Sequence, residues 1–181
     1  DNIYKFCKEL NNTDKSKIVI DAGNILYSVR GEVTIEGYKN LIKLIEYFNN
    51  MSMIPIVIIH TRHLKKRFKG KEKNKEIISC INKIKNSYKK FIFETPYNKN
   101  DDFYIIYTAL LLECQVITND HYRDHIYRFR TNNHESDENV IENYIEDLLV
   151  KYTTTSHNMG LSDIKLLKIS KCIQVIGKMV Y

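Results

Sequence analysis

The chain has 181 residues, a formal net charge of +6, 43% hydrophobic residues and 28% charged residues. That length suits one domain able to bury its own core, and the composition excludes a wholly disordered chain. With 2 Pro and 6 Gly it is neither collagen-like nor a Pro-rich linker, and no apolar run approaches the roughly 18 residues of a membrane helix. The first ten residues lack the basic-then-apolar pattern of a signal peptide, and the absence of an initiator Met reads as a piece of a longer sequence. The charge is uneven: residues 61–90 carry 12 Lys or Arg against 2 Glu, a net +10, which leaves −4 for the rest. Such a stretch points to an anionic partner such as nucleic acid, against the plainer reading of a solvated Lys-rich face. Cys7, Cys80, Cys114 and Cys172 form no C-x-x-C pair, so no zinc site of the usual spacing is visible. Cys80 and Cys114 sit in apolar surroundings and read as small buried hydrophobes. A reducing intracellular compartment is expected, the cytoplasm first, with nucleus or organelle as alternatives.

In chain order, Lys17–Asp21 is a β-branched run ending in a carboxylate, the pattern of a strand buried on both faces. Ile35, Tyr38, Leu41, Ile42, Ile45 and Phe48 recur at helical spacing. Ile54–His60 is a second buried strand, with Pro55 tolerated near its start. Residues 65–75 show no apolar periodicity and read as a loop, and Ile77 to Tyr88 form a helical stripe. Phe91–Glu94 is a third strand, followed by the turn-rich loop 95–100. Asp101 and Asp102 open a helix running to Glu113, where acidic side chains suit the free N–H groups and the dipole. Gln115–Thr118 is a fourth strand and residues 121–129 a short helix. Residues 131–138 read as a polar loop, and a helix is expected from Val140 to Leu149. Tyr152 to Asp163 looks irregular, and Cys172 to Tyr181 reads as a hairpin cut off mid-strand.

Alternating strands and helices predict an α/β fold with a parallel sheet, whose functional rim lies beyond the strand carboxyl ends. Asp21, Asp101, Asp102 and Asp120, with Asp124 beyond, all fall on that rim. Singly, each could merely cap a helix. Jointly they repel one another, and a divalent cation is the usual remedy. Oxygen ligands suit Mg²⁺, with Mn²⁺ as the alternative, and such ions activate water and stabilise displacement at phosphorus. His60, Arg62 and His63 close the second strand on the same rim, as possible phosphate contacts. Lys65 and Lys66 begin the Lys-rich loop, suited to tracking an RNA backbone without reading bases. Tyr97 and Phe103 are the rings nearest the aspartates, Phe103 being expected in the core.

Three blocks carry a family resemblance: Ile18-Val19-Ile20-Asp21-Ala22-Gly23-Asn24, Asn100-Asp101-Asp102-Phe103-Tyr104-Ile105, and Val116-Ile117-Thr118-Asn119-Asp120-His121-Tyr122-Arg123-Asp124-His125. The chain resembles, over residues 17–127, the NYN metallonuclease domain of protein-only RNase P, a PIN-like family. Ile59-His60-Thr61-Arg62-His63-Leu64 and Thr95-Pro96 are similar to further stretches of it. The resemblance implies a PIN-like three-layer sandwich with a mainly parallel sheet of about four strands. It implies Asp21, Asp101, Asp102 and Asp120 as both metal-binding and catalytic carboxylates. Asn24 would bond near metal or substrate, and Arg123, Asp124 and His125 would organise the site. The implied activity is Mg²⁺-dependent 5′ cleavage of precursor tRNA, leaving a 5′-phosphate on the product and a 3′-hydroxyl on the leader.

This sequence departs from the family in three places. Ala22-Gly23 reverses the family's Gly-Ala order, Ile105 replaces an aromatic, and the family's zinc site finds only Cys7, His157 and Cys172 near its positions. Regnase-type endonucleases of messenger RNA decay are a similar sister group, sharing Tyr122 in the third block. A further alternative is an RNA-binding module impaired in catalysis. The expected layout is a lead-in over 1–16, the metallonuclease domain over 17–155 and a C-terminal hairpin extension over 156–181. RNA is the expected partner, no membrane is expected, and oligomeric state is not legible.

Overall fold

The computed structural model describes residues 2–29, 31–65, 67–68, 71–72, 75–125, 147–150, 152–156 and 162–166. Strands β1 (Lys17–Asp21), β2 (Ile54–His60), β3 (Arg67–Phe68), β4 (Lys71–Glu72), β5 (Ile92–Thr95) and β6 (Gln115–Ile117) appear in chain order. They are followed by β7 (Leu149–Val150), β8 (Tyr152–Ser156) and β9 (Ser162–Leu166). The helices are α1 (Asn2–Asn11), α2 (Ala22–Tyr27), α3 (Ile35–Asn50), α4 (Thr61–Leu64), α5 (Lys75–Ser87) and α6 (Asp101–Leu111).

The main sheet has five strands in the order β5-β2-β1-β6-β7, and every pairing in it is parallel. The sequence reading of about four strands misses β7, which adds Leu149 and Val150 beside Val116 and Ile117. Two residues are too few to show a period. Pro55 fits because the Ile54 N–H bonds the Ser16 carbonyl on the β1 side, which turns Pro55 toward β5. There the pairing begins only at Val57, so no ladder bond is lost.

From β1 the chain steps outward to β2 and β5, with α3 and α5 in the crossovers. It then returns through α6 to β6 on the other side of β1. Right-handed crossovers in opposite directions put these helices on opposite faces. The contacts agree: α3 packs on β2, α2 and α5, whereas α6 packs on β1, β2 and β6 and receives α1. The result is a helix–sheet–helix sandwich. Its core runs through Ile18, Ile20, Ile56, Ile58, Ile105 and Ile117, all essentially inaccessible to solvent.

Three local readings are corrected. The stretch 1–16, read only as a lead-in, contains α1, whose Ile3 and Cys7 are buried. Tyr152 to Asp163, expected to be irregular, contributes to an antiparallel ladder of β8 with β9, from Tyr152↔Leu166 to Ser156↔Ser162. The loop 65–75 carries the short antiparallel pair Arg67↔Glu72 and Phe68↔Lys71. Threonine-rich and lysine-rich strands lack the apolar alternation that would reveal them. Cys80 is half-buried rather than buried, while Cys114 is buried as expected. The terminal hairpin over 172–181, the polar loop 131–138, residues 126–129 of the helix expected at 121–129 and residues 140–146 of the helix expected at 140–149 lie outside the described residues, and of what is described 123–125 and 147–148 are helical. Among the described residues no helix is long and apolar enough to cross a membrane.

The α2–α3 contact is unusually close. A Cβ added at Gly37 would lie 2.5 Å from the Leu26 carbonyl oxygen, a backbone atom that cannot swing aside. Helix propensity alone would make Gly37→Ala stabilising by up to about 1 kcal/mol. The expected outcome is the reverse, a loss of roughly 1–3 kcal/mol from overpacking, measured as a lower urea midpoint with unchanged slope.

Candidate active site

The strand order reverses between β1 and β6, so the connections leaving their carboxyl ends diverge and open a crevice. Asp21 closes β1 at that point. It is 5% exposed and caps α2, its Oδ1 accepting the Asn24 N–H at 2.9 Å. Oδ2 accepts the hydroxyls of Thr118 at 2.9 Å and Tyr122 at 2.8 Å. Despite three donors, burial lifts the Asp21 pKa to about 6, with the charge of Asp101 adding to the rise. Desolvation therefore outweighs the hydrogen bonds, and the carboxylate holds uncompensated negative charge.

Asp101 and Asp102 begin α6, capped by Asn100, whose Oδ1 accepts the Asp102 N–H at 3.0 Å. Asp101 approaches Asp21 across Gly23. A Cβ on Gly23 would lie 3.3 Å from Asp101 Oδ2 and 3.5 Å from Asp21 Oδ1. The exchanged Ala22-Gly23 order therefore keeps a methyl group out of tight contact with the two carboxylates, while Ala22 is buried. Asp102 bonds His125 Nε2 at 3.3 Å. Burial raises its pKa and Asp101 adds to the rise, while Asn100 and His125 oppose it.

Beyond β6, Thr118 Oγ1 accepts the Asp120 N–H at 3.0 Å and Asp120 Oδ1 accepts the Tyr122 N–H at 2.8 Å. Tyr122 sits at φ +50°, a conformation costing a non-glycine residue of order 1 kcal/mol. The bond from its hydroxyl to Asp21 holds it there. The Asn24 side chain accepts the Asn119 N–H at 2.9 Å and the Tyr152 hydroxyl at 2.6 Å. The Asn119 side chain in turn pairs with both the N–H and the C=O of Tyr152, each at 3.0 Å.

These residues border an open cleft of about 560 Å³, with Asp102, Asp120, Asp124, Arg123 and His125 on its walls and Asn24 in its lining. Asp102, Asp120, Asn24, Arg123, Asp124 and His125 thus line one cleft, while Asp21 and Asp101 lie behind that lining, Asp21 bonded to its Tyr122 and Asp101 preceding its Asp102. His60 and His63 do not face it. Both are buried, and they bond Arg62, His60 Nδ1 accepting its N–H and His63 Nε2 its Nε–H, each at 3.1 Å. They shape the rim and leave the exposed Arg62 as its cation. Phe103, expected in the core, is 55% exposed and stacks on Tyr107 with centroids 6.0 Å apart. Lys65 is exposed, and Lys66 lies outside the described residues. Of the zinc candidates, Cys7 is buried against Thr108, and His157 and Cys172 lie outside the described residues. Sequence spacing does not single out Thr118, Asn119, Tyr122 or Tyr152 as site residues. The first three stand inside the third motif block, but Tyr152 is brought in only by the fold.

Among the described residues no three His, Cys, Asp or Glu side chains converge into a ready-made metal cage. The donor set nonetheless fits a hard cation. Mg²⁺ is usually bound through one or two carboxylates and keeps several waters, and Asp21 Oδ1 with Asp101 Oδ2, both beside Gly23, supplies such a pair of oxygens. The Asp21 pKa of about 6 has a consequence for stability. The unfolded chain releases this proton near pH 4 and the folded chain holds it to about pH 6. Its contribution to stability is therefore full below pH 4, falls as pH rises to 6, and is constant above. In EDTA, the stability of Asp21→Asn relative to wild type should rise by roughly 3 kcal/mol between pH 4 and pH 7. A pH-independent difference in urea unfolding contradicts this.

Comparison with known proteins places the fold. A family model described as Protein-only RNase P matches residues 1–138. Proteinaceous RNase P 2 of Arabidopsis thaliana is 24% identical over 147 residues, covering 79% of this chain and 26% of its own length. Proteinaceous RNase P 1, chloroplastic/mitochondrial, of the same plant is 25% identical over 131 residues, covering 72% and 22%. The chain thus spans about a quarter of the length of the curated relatives it matches. The crystal structure of nuclear proteinaceous RNase P 2 from A. thaliana superposes with a TM-score of 0.62 at 21% identity, over 90% of this chain and 32% of that one. At that identity the superposition shows the shared α/β fold. With the family model spanning three-quarters of its residues, the chain belongs to the protein-only RNase P family.

Proposed function

We propose that this chain is the nuclease domain of a divalent-cation-dependent endoribonuclease that trims the 5′ side of precursor tRNA. The observation that carries the reading is the buried Asp21 carboxylate facing Asp101 across Gly23, at the switch-point cleft of a chain in this family. Asp21, Asp101, Asp102 and Asp120 would hold Mg²⁺ or Mn²⁺. When bound, such an ion lowers the pKa of water and offsets charge at phosphorus.

The chain's own groups divide the remaining work. Tyr122 and Thr118 keep their hydroxyls on Asp21 and fix its orientation. Burial and the charge of Asp21 push the Tyr122 hydroxyl well above its usual pKa, so it stays a donor. His125 steers Asp102. Arg123 on the cleft wall and the exposed Arg62 present guanidinium groups suited to phosphate oxygens. Lys65, Lys66 and the rest of the +10 stretch add affinity for the RNA backbone that falls steeply with salt.

Two other readings are weaker. A Regnase-type activity on messenger RNA shares the Tyr122 position, but the family model that matches is that of protein-only RNase P. A catalytically impaired RNA-binding module would need the Ala22-Gly23 order to disable the site, yet Gly23 places no side chain against the Asp21 and Asp101 carboxylates.

The test is incubation with a 5′-extended precursor tRNA and, separately, an unstructured RNA, with Mg²⁺ and with EDTA. The expected result is 5′ trimming of the first alone, abolished by EDTA. Asp101→Asn and Asp120→Asn should each lower the rate by at least about 100-fold, the scale of losing one preorganised electrostatic group, with unchanged circular dichroism. Wild-type rates in the Asp101→Asn/Asp102→Asn double variant refute the mechanism.

A further inference from the structure

The other half of the rim, at the ends of β2 and β5, is not occupied by the acidic cleft. His60 and Thr95 are register partners there, and the chain beyond each is tied to the other. The Thr61 hydroxyl donates to the Thr95 carbonyl at 2.6 Å. Because His60 Nδ1 accepts the Arg62 N–H, its Nε2 carries the proton and donates to the Tyr97 carbonyl at 3.1 Å. His60 is 6% exposed, so this bond is shielded from water. The loop is further closed by the Lys99 N–H on the Pro96 carbonyl at 3.1 Å and by the Asn100 cap of α6.

On this fixed backbone Tyr97 is 68% exposed, the most exposed large apolar side chain among the described residues. Single exposed apolar side chains are ordinary. Tyr97 differs in its surroundings: the ring meets the edge of buried His60 at 6.0 Å, and Lys65 Nζ lies 4.9 Å from its centroid. A ring carried on a braced loop with an adjacent cation is the pairing that binds single-stranded nucleic acid, the ring stacking a base and the cation meeting phosphate. Asp101 is four positions beyond Tyr97, so their Cα atoms are at most about 14 Å apart.

We propose that Tyr97 and Lys65 form a nucleobase-stacking subsite that receives an unpaired nucleotide of the RNA beside the acidic cleft. This rests on the reading of the chain as a ribonuclease. The nucleotide is unpaired because a base inside a helix has no free face to offer. The subsite tolerates any base, since every base has a π-face and neither side chain reads a hydrogen-bonding edge. His60 acts here as a positioning residue for the Tyr97 loop.

The experiment titrates the protein, in EDTA so that nothing is cut, into a short single-stranded oligoribonucleotide carrying 2-aminopurine, whose fluorescence is quenched on stacking. The expected result is quenching by wild type and by Tyr97→Phe. Tyr97→Ala should lose the quenching and bind about tenfold more weakly. Lys65→Gln should keep the quenching but lower the salt dependence of binding by about 0.7 log units per log unit of salt. Tyr97 is exposed, so these variants should melt as wild type does. Equal quenching and affinity for Tyr97→Ala and wild type overturn the proposal, as does binding by wild type without quenching. Because no cleavage is read, quenching that depends on Tyr97 in a protein that cuts no RNA would sustain the subsite and sink the nuclease reading. Cleavage unaffected by Tyr97→Ala, with no quenching, would do the opposite.

Discussion

A carboxylate taken out of water at the end of the central strand governs the architecture of this rim. Asp21 is buried because β1 lies mid-sheet with a strand on either side. Its neighbours are organised around the charge: one oxygen caps α2, and the other takes two hydroxyls from the segment after β6. That second set of bonds makes the return of the chain at β6 chemically specific. Without Asp21, the left-handed backbone at Tyr122 would lose the bond that repays its strain. Burial still wins over these donors, and Asp101 makes the imbalance worse. A fold that keeps such an arrangement gives up stability for a function.

The same rim is braced from the C-terminal side. Asn119 uses its side-chain amide as a backbone would, pairing with both polar groups of Tyr152 at the start of β8. The Tyr152 hydroxyl then reaches the backbone carbonyl and the side chain of Asn24. Three segments far apart in sequence therefore fix one asparagine at the cleft. The segment beginning at Tyr152, expected to be irregular, contributes to the site through this clasp. The opposite half of the rim is braced separately, by buried His60 beneath Tyr97. A rigid frame of this kind suits chemistry in which positioning matters more than covalent steps.

Much of this was legible in the sequence, for physical reasons that also explain the misses. Buried parallel strands read as continuous apolar runs, so β1, β2 and the helix α3 emerge from residue order. Carboxylates at strand ends follow from the same pattern. The two-residue β7 carries no period, and β8 and β9 gain their order from pairing with each other. Phe103 shows the limit of composition: an aromatic on an apolar helix reads as core, yet its face of α6 is open and the ring stacks on Tyr107. His60 and His63 show the converse, since a strand-end histidine looks available for phosphate until burial reveals that it bonds Arg62 instead. Tyr152 could not be read at all, because only the folded chain brings it to Asn24.

The proposed function stands or falls on whether the uncompensated charge of Asp21 and Asp101 holds a cation. Titration of isotopically labelled protein with Mn²⁺, followed by paramagnetic broadening of backbone amides, tests it most directly. The expected result is that the amides of Gly23, Asn24, Asp101 and Asp102 broaden first, that excess Mg²⁺ reverses this, and that Asp21→Asn/Asp101→Asn removes it. First broadening among residues 135–147, which hold six Asp or Glu, or broadening at Gly23 that survives the double substitution, would overturn the cation site.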